Sequence, residues 1–122
     1  MFESLTFSKN LRLRDSKEFQ KVFDAQQRMK SGIGVFHCAE NTLANARLGM
    51  IVSKRNVRLS VKRNLIKRIT REHFRLHHQA LSGYDIVFVA YHEAATASNE
   101  ELHKCINDLF QRLLRRSERL VS

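Results

Sequence analysis

Proline is absent from this chain, acidic residues are few, and cysteine occurs only twice. Without proline, a low-complexity stretch or an internal repeat, nothing marks a linker, and 122 residues suit one domain with a modest core. No apolar run approaches the roughly 20 residues of a membrane span. No charged-then-apolar stretch of the signal-peptide kind stands at the start either. We therefore expect a cytoplasmic chain with no membrane partner. Cys38 and Cys105 lie far apart at apolar-looking positions, as buried free thiols would; a disulfide stays open, but nothing in the pattern asks for one.

Catalytic chemistry is equally thin. The acids are scattered, with no closely spaced carboxylate set for a protein-built two-metal nuclease. There is no P-loop, glycine-rich cradle or nucleophile elbow. His73 and His77 stand at i,i+4, but their basic surroundings repel cations and no Glu or Cys completes a site, so we read them as polar helix residues. The expectation is a protein with no catalytic side chain and no metal ligand of its own.

Positive charge is what the chain has in plenty: 22 Lys and Arg against 12 acids, a net charge of +10. The stretch Lys54 to Arg75 holds nine of the bases (54, 55, 58, 62, 63, 67, 68, 71, 75) and one acid, Glu72. At helical pitch from Ser60 it divides into two faces. Val61, Leu65, Ile69 and Leu76 fall on an apolar arc bordered by Ile66 and His73, while Arg63, Asn64, Lys67, Arg68, Arg71 and Arg75 fall opposite, facing outward. A merely solvated face would be the ordinary reading of such a run. Helix stability argues against it. Arg63, Lys67, Arg71 and Arg75 are like charges at successive i,i+4 positions, each pair costing roughly 0.2–0.5 kcal/mol. With Ser60 as N-cap, Lys62 and Arg63 would occupy the first turn, where the macrodipole favours acids. Charge kept at that cost points to a polyanion, and nucleic acid is the natural one.

Residues 1–10 carry little pattern and read as a flexible arm; residues 11–122 read as the domain. Asp15 with Glu18 forms a capping-box pattern that starts a helix running to about Gln27. Residues 33–39 and 47–53 read as a hairpin, with a short extra strand near Met29–Ser31. After the basic helix, Ser82-Gly83 breaks the pattern, and the nearly continuous apolar run 85–91 reads as a strand in the middle of a sheet. Ser98 with Glu101 caps a last helix over about 99–117, with Leu102, Cys105, Ile106, Leu109 and Leu113 buried. Arg112, Arg115, Arg116 and Arg119 crowd its end, where cations suit the dipole. The fold class is α+β: one sandwich with helices on a small mixed sheet. Strand, basic helix and strand would form a β-α-β unit, and the general rule makes such crossovers right-handed.

Val52-Ser53-Lys54-Arg55-Asn56-Val57, followed by Arg63-Asn64-Leu65-Ile66-Lys67-Arg68-Ile69-Thr70-Arg71-Glu72-His73-Phe74-Arg75, closely resembles the bacterial ribonuclease P protein subunit. That family carries R-N-R-x-K-R-x-x-R-E-x-F-R after a strand ending V-S-K or V-A-K. Phe19-Gln20-Lys21-Val22-Phe23, Arg47-Leu48-Gly49 and Tyr84-Asp85 also fit, so the likeness spans about residues 11–115. One departure is Leu65, where the family triplet has Arg; it puts one family contact in doubt.

The resemblance implies an αβββαβα fold with a left-handed β-α-β crossover, against the general rule. It implies a subunit of an endoribonuclease whose catalytic centre lies in an RNA subunit, which uses Mg²⁺ to cut at the mature 5′ end of tRNA. By the same resemblance, Arg63, Asn64, Lys67, Arg68, Arg71 and Arg75 correspond to contacts with the catalytic RNA. Phe19, Phe23 and Phe36, with Lys54 and Arg55, correspond to a cleft for the single-stranded 5′ leader of precursor tRNA. The partners implied are the catalytic RNA and precursor tRNA, and we expect the free protein to be monomeric. Composition alone allows a structural, ribosomal-type RNA-binding protein equally well. A helix-in-major-groove DNA binder fits less, since no short helix-turn-helix spacing precedes the basic helix.

Overall fold

In the computed structural model, which describes residues 11–121 with side chains through residue 117, the capping box at Asp15 is complete. Asp15 Oδ1 accepts the Glu18 N–H at 2.9 Å, and Glu18 Oε1 accepts the N–H groups of Arg14 and Asp15. The arm expected over residues 1–10 lies outside the described residues. Helix α1 (Ser16–Asp24) ends sooner than its sequence suggested. Gln26 adopts φ 56°, a left-handed conformation that costs a non-glycine residue about 1 kcal/mol, and turns the chain into β1 (Gln27–Lys30).

Strands β2 (Gly34–Glu40) and β3 (Arg47–Ile51), helix α2 (Ser60–His77), strand β4 (Tyr84–Ala90), a 3-10 turn (His92–Ala95) and helix α3 (Asn99–Val121) follow. The order αβββαβα is thus the one expected. The sheet runs β1-β2-β4-β3, antiparallel except for the β3–β4 pair, so the continuous apolar run of β4 does sit in the middle, and it separates β2 from β3, which do not form the expected hairpin. Residues 11–13 lie along the free edge of β3, where Arg12 bridges Leu48 and Leu13 N–H bonds the Leu48 carbonyl at 3.0 Å. Among the described residues no helix is long and apolar enough to cross a membrane. Cys38 and Cys105 are free thiols, and burial pushes the Cys38 thiol up.

The two faces of the sheet are unequal. On one, Phe36 and Cys38 of β2, Leu48 of β3 and Ile86 and Phe88 of β4 pack against α2 and α3. The buried α3 stripe is Leu102, Ile106, Leu109 and Leu113 as expected, with Phe110 added and Cys105 only partly buried; the Phe110 ring lies 4.8 Å from that of Phe36. Burying each such side chain is worth about 1.5–3 kcal/mol. On the other face, Val22 of α1 packs with Leu13, Ala39 and Val87, while Phe19, Phe23, Ile51 and Val89 are only partly covered.

Helix α2 is rotated from its expected setting. Val61 and Leu76 are 79% and 64% exposed, and the buried side is Ile66, Ile69, Thr70 and Phe74. Phe74 reaches the Phe110 ring (6.4 Å), and Thr70 satisfies its hydroxyl on the Ile66 carbonyl. The N-cap is Leu59, not Ser60, and it provides no side-chain bond. No acid stands in the first turn. The helix thus starts uncapped as well as cationic.

One ion cluster ties the second face together. Arg47 bonds Asp85 with two nitrogens (Nε–Oδ1 2.9 Å, Nη2–Oδ2 2.7 Å) and Glu18 Oε2 with the third at 2.9 Å. Asn41 Nδ2 adds a 2.6 Å bond to Asp85, which is 4% exposed. The Arg14 N–H, with those of Asp15 and Arg47, holds the Glu18 carboxyl below its ordinary 4.5. A carboxylate depressed in this way contributes stability above its unfolded pKa and loses it as pH falls through the folded one. We predict that Asp85→Asn, which strands a half-buried guanidinium, costs about 3 kcal/mol in urea denaturation. Stability should also fall as pH drops below 4.5, less steeply in Glu18→Gln. An Asp85→Asn chain as stable as the parent would remove the cluster from this account.

Candidate nucleic-acid interface

Strand pairing lines up two rows of side chains on the partly covered face. Gly49, Val87, His37 and Arg28 form one; Ile51, Val89, Val35 and Lys30 form the next. Helix α1 lies over the first. A Cβ on Gly49 would sit 2.6 Å from the Phe19 ring, so this glycine is what lets the helix lie flush. At its other end the Phe23 ring meets His37 edge-on (centroids 4.8 Å, 88°). Ile51 and Val89 in the second row stay part-exposed beside the helix. The result is a cleft with an apolar floor and aromatic flank, and the loop 52–59 leads from the end of β3 to α2.

That loop is held from several sides. Asn56 Nδ2 donates to the Ala90 carbonyl at the end of β4 (3.1 Å), and its N–H bonds Ser53 Oγ. Arg63 Nη1 bridges the carbonyls of Val57 (3.0 Å) and Arg58 (2.8 Å). Lys54 and Arg55 are left exposed at its tip. Arg63 is therefore partly structural, as its place on the turned helix requires. At about 100° per residue it lies within roughly 50° of the centre of the buried side.

Asn64, Arg68 and Arg75 stand outward, with Lys67 and Arg71 on the flank. Among the described residues Lys67, Arg71 and Arg75 form no ion pair, and Arg68 meets Glu72 only at 3.9 Å with both side chains half exposed or more. Such an exposed pair is worth little. The cationic ridge is thus open to a partner.

Phe36 is not in the cleft. It is fully buried on the opposite face against Phe88 and Phe110, so its ring is closed to any base. Its neighbour His37 takes that place. Burial, then the charge of Arg28, pushes the imidazole pKa down, leaving a neutral ring at pH 7. Phe23, Gln26, Arg28 and His37 together line a hollow of about 380 Å³. The parity of β2 hid His37, since both its faces are apolar. His73, set aside as a metal ligand, bonds His103 across α2 and α3 at 3.1 Å. Among the described residues no group of three or more His, Cys, Asp or Glu could hold a metal ion.

A model of the family Ribonuclease P matches residues 7–114. The chain belongs to that family. It is 41% identical over 116 residues to the ribonuclease P protein component of Coxiella burnetii, covering 95% of this chain and 96% of that one. It is 40% identical to the component of Pseudomonas paraeruginosa, covering 98% and 89%. Among solved structures, a mutant of the Staphylococcus aureus RNase P protein superposes with a TM-score of 0.80 at 26% identity, over 92% and 94% of the two chains. The Thermotoga maritima RNase P protein shares the fold, with a TM-score of 0.69 over 83% and 96%. The chain is thus the protein component of an endoribonuclease. The segments that carry the resemblance have physical work in this structure: Arg47 and Asp85 form the ion cluster, Gly49 seats Phe19, and Asn56 pins the loop.

We expect Gly49→Ala to lift α1 from the sheet, costing about 1–3 kcal/mol in chemical denaturation. Amide exchange in α1 should quicken more than in α3. Unchanged exchange in α1 would contradict the contact.

Proposed function

We propose that the chain binds the catalytic RNA of ribonuclease P along the outward side of α2 and the single-stranded 5′ leader of precursor tRNA in the cleft beside α1. The carrying observation is the junction of two surfaces. Helix α2 carries exposed cations with no buried acid partner, the sheet face beside α1 keeps half-covered rings, and Lys54 and Arg55 stand exposed on the loop that joins β3 of that sheet to α2. Guanidinium and ammonium groups bond phosphate oxygens without reading sequence. Flat rings take bases of any sequence, at about 1–3 kcal/mol per stacked base. On α2 the contacts are Asn64, Lys67, Arg68, Arg71 and Arg75, with Arg63 sharing its guanidinium between RNA and its own loop. In the cleft they are Phe19, Phe23, His37, Lys54 and Arg55.

The chain supplies binding, not reacting groups. Its described acids make no cage for Mg²⁺, and two of them, Glu18 and Asp85, are held by Arg47. Hydrolysis at the mature 5′ end is assigned to the RNA and its Mg²⁺. The protein's part is to neutralise crowded phosphates, which lowers the Mg²⁺ needed for assembly and makes the complex salt-sensitive. The cytoplasm, where precursor tRNA is made, is its place of work.

Adding the protein to ribonuclease P RNA at low Mg²⁺ should restore precursor cleavage; a structural RNA-binding protein would not do this. Lys67→Ala with Arg71→Ala should weaken binding to the RNA about tenfold or more and reduce its salt dependence. Phe23→Ala should lower affinity for precursor by about 1–3 kcal/mol and leave leaderless tRNA unaffected. Equal losses on both substrates would defeat the cleft assignment.

A further inference from the structure

A second set of cations lies at the far end of the cleft. Met29 points into the main core, so Arg28 and Lys30 on either side of it point to the cleft face, where they end the two rows described above. From β3 to β1 those rows span about 14 Å at the usual strand spacing of ~4.8 Å. Beyond the β1 edge, Arg116, which also bonds the Cys38 thiol, shares a hollow of about 390 Å³ with Gln26, Gln27 and Arg28, and Arg115 shares with Lys30 a groove that Glu93, Glu101 and Asp108 also line. Arg112 fixes this arrangement, its Nη2 donating to the Lys30 carbonyl and its Nε facing Asp108 at 3.5 Å.

Neither ordinary explanation accounts for the whole set. Arginines at a helix end suit the dipole, but that effect is confined to the last turn. Helix α3 runs on to Val121, which puts Arg115 and Arg116 more than a turn from its end. Charges on an edge strand deter pairing with other chains, and Arg28 and Lys30 meet that need by themselves. None of Arg28, Lys30, Arg115 and Arg116 pairs with an acid among the described residues.

We propose that Arg28, Lys30, Arg115 and Arg116 form a second phosphate-binding strip, which holds the 5′-ward part of the leader after it passes across the cleft. The inference rests on the cleft reading above. The cleft end at Lys54 and Arg55 adjoins α2, the side turned to the catalytic RNA. The β1 end, farthest from it, receives the nucleotides farthest from the cut. Backbone contacts by exposed cations make the grip indifferent to sequence.

The test uses holoenzyme reconstituted with its RNA and two precursors of one tRNA. One carries a leader short enough to end inside the cleft, the other a leader several nucleotides longer. With Lys30→Gln and Arg115→Gln combined, affinity for the long-leader precursor should fall roughly tenfold, and its salt slope by about 0.7 per lost contact. The short-leader precursor should bind as to the parent, and the version with Lys30→Arg and Arg115→Lys should keep long-leader affinity. Equal losses on both precursors, or no loss on either, overturn the strip. Phe23→Ala, run alongside against leaderless tRNA, reads the cleft separately. A length-selective loss together with a Phe23→Ala chain that binds precursor as the parent does would overturn the route across the cleft, whereas the expected Phe23→Ala loss without length selectivity in the strip variant would overturn the strip alone.

Discussion

A four-stranded sheet has two apolar faces, and this chain has helix enough to cover only one of them fully. Helices α2 and α3, 18 and 23 residues long, close one side. Helix α1, with nine residues and about 13 Å of length, spans a single row of the other. The row beside it stays partly open. That shortfall makes the cleft, and most other features follow from holding a short helix in place over it. The capping box defines where α1 begins. Gly49 lets Phe19 lie against the backbone of β3, and Arg47 ties Glu18 to Asp85, joining helix to sheet.

The basic helix is held by the same logic from behind. Its like charges, bare N-terminus and lack of an acid in the first turn all work against it as an isolated coil. Its stability must come from tertiary packing: Ile66, Ile69 and Phe74 against the core, and His73 against His103. Burial of a narrow side therefore lets the outward side be chosen for a partner alone. Arg63 shows the division within one residue, since one nitrogen secures the loop carrying Lys54 and Arg55.

Local chemistry was the most legible in the sequence. Both capping boxes, Asp15 with Glu18 and Ser98 with Glu101, form as read, because their bonds span only three residues. The central position of β4 followed from its unbroken apolar run. What failed depended on choosing between apolar candidates. Val61 and Leu76 looked as buriable as Ile66, and only the position of Phe110 on α3 selects the side that carries Phe74. Strand β2 is apolar on both faces, so alternation offers no check on the resemblance, which puts Phe36 where His37 stands. The early end of α1 rests on one left-handed residue, Gln26, of a type that seldom announces itself.

The neighbours Phe36 and His37 separate two duties at a distance of one residue. Phe36 and Cys38 of β2 belong to the packing that keeps the protein folded; His37, half-buried against Phe23, belongs to the opposite face of the sheet. Drift in the chemistry of that surface, toward a ring of different size or polarity, leaves the interior untouched. A change of ring at position 37 thus alters the face beside α1 while the packing of Phe36 and Cys38 stays in place.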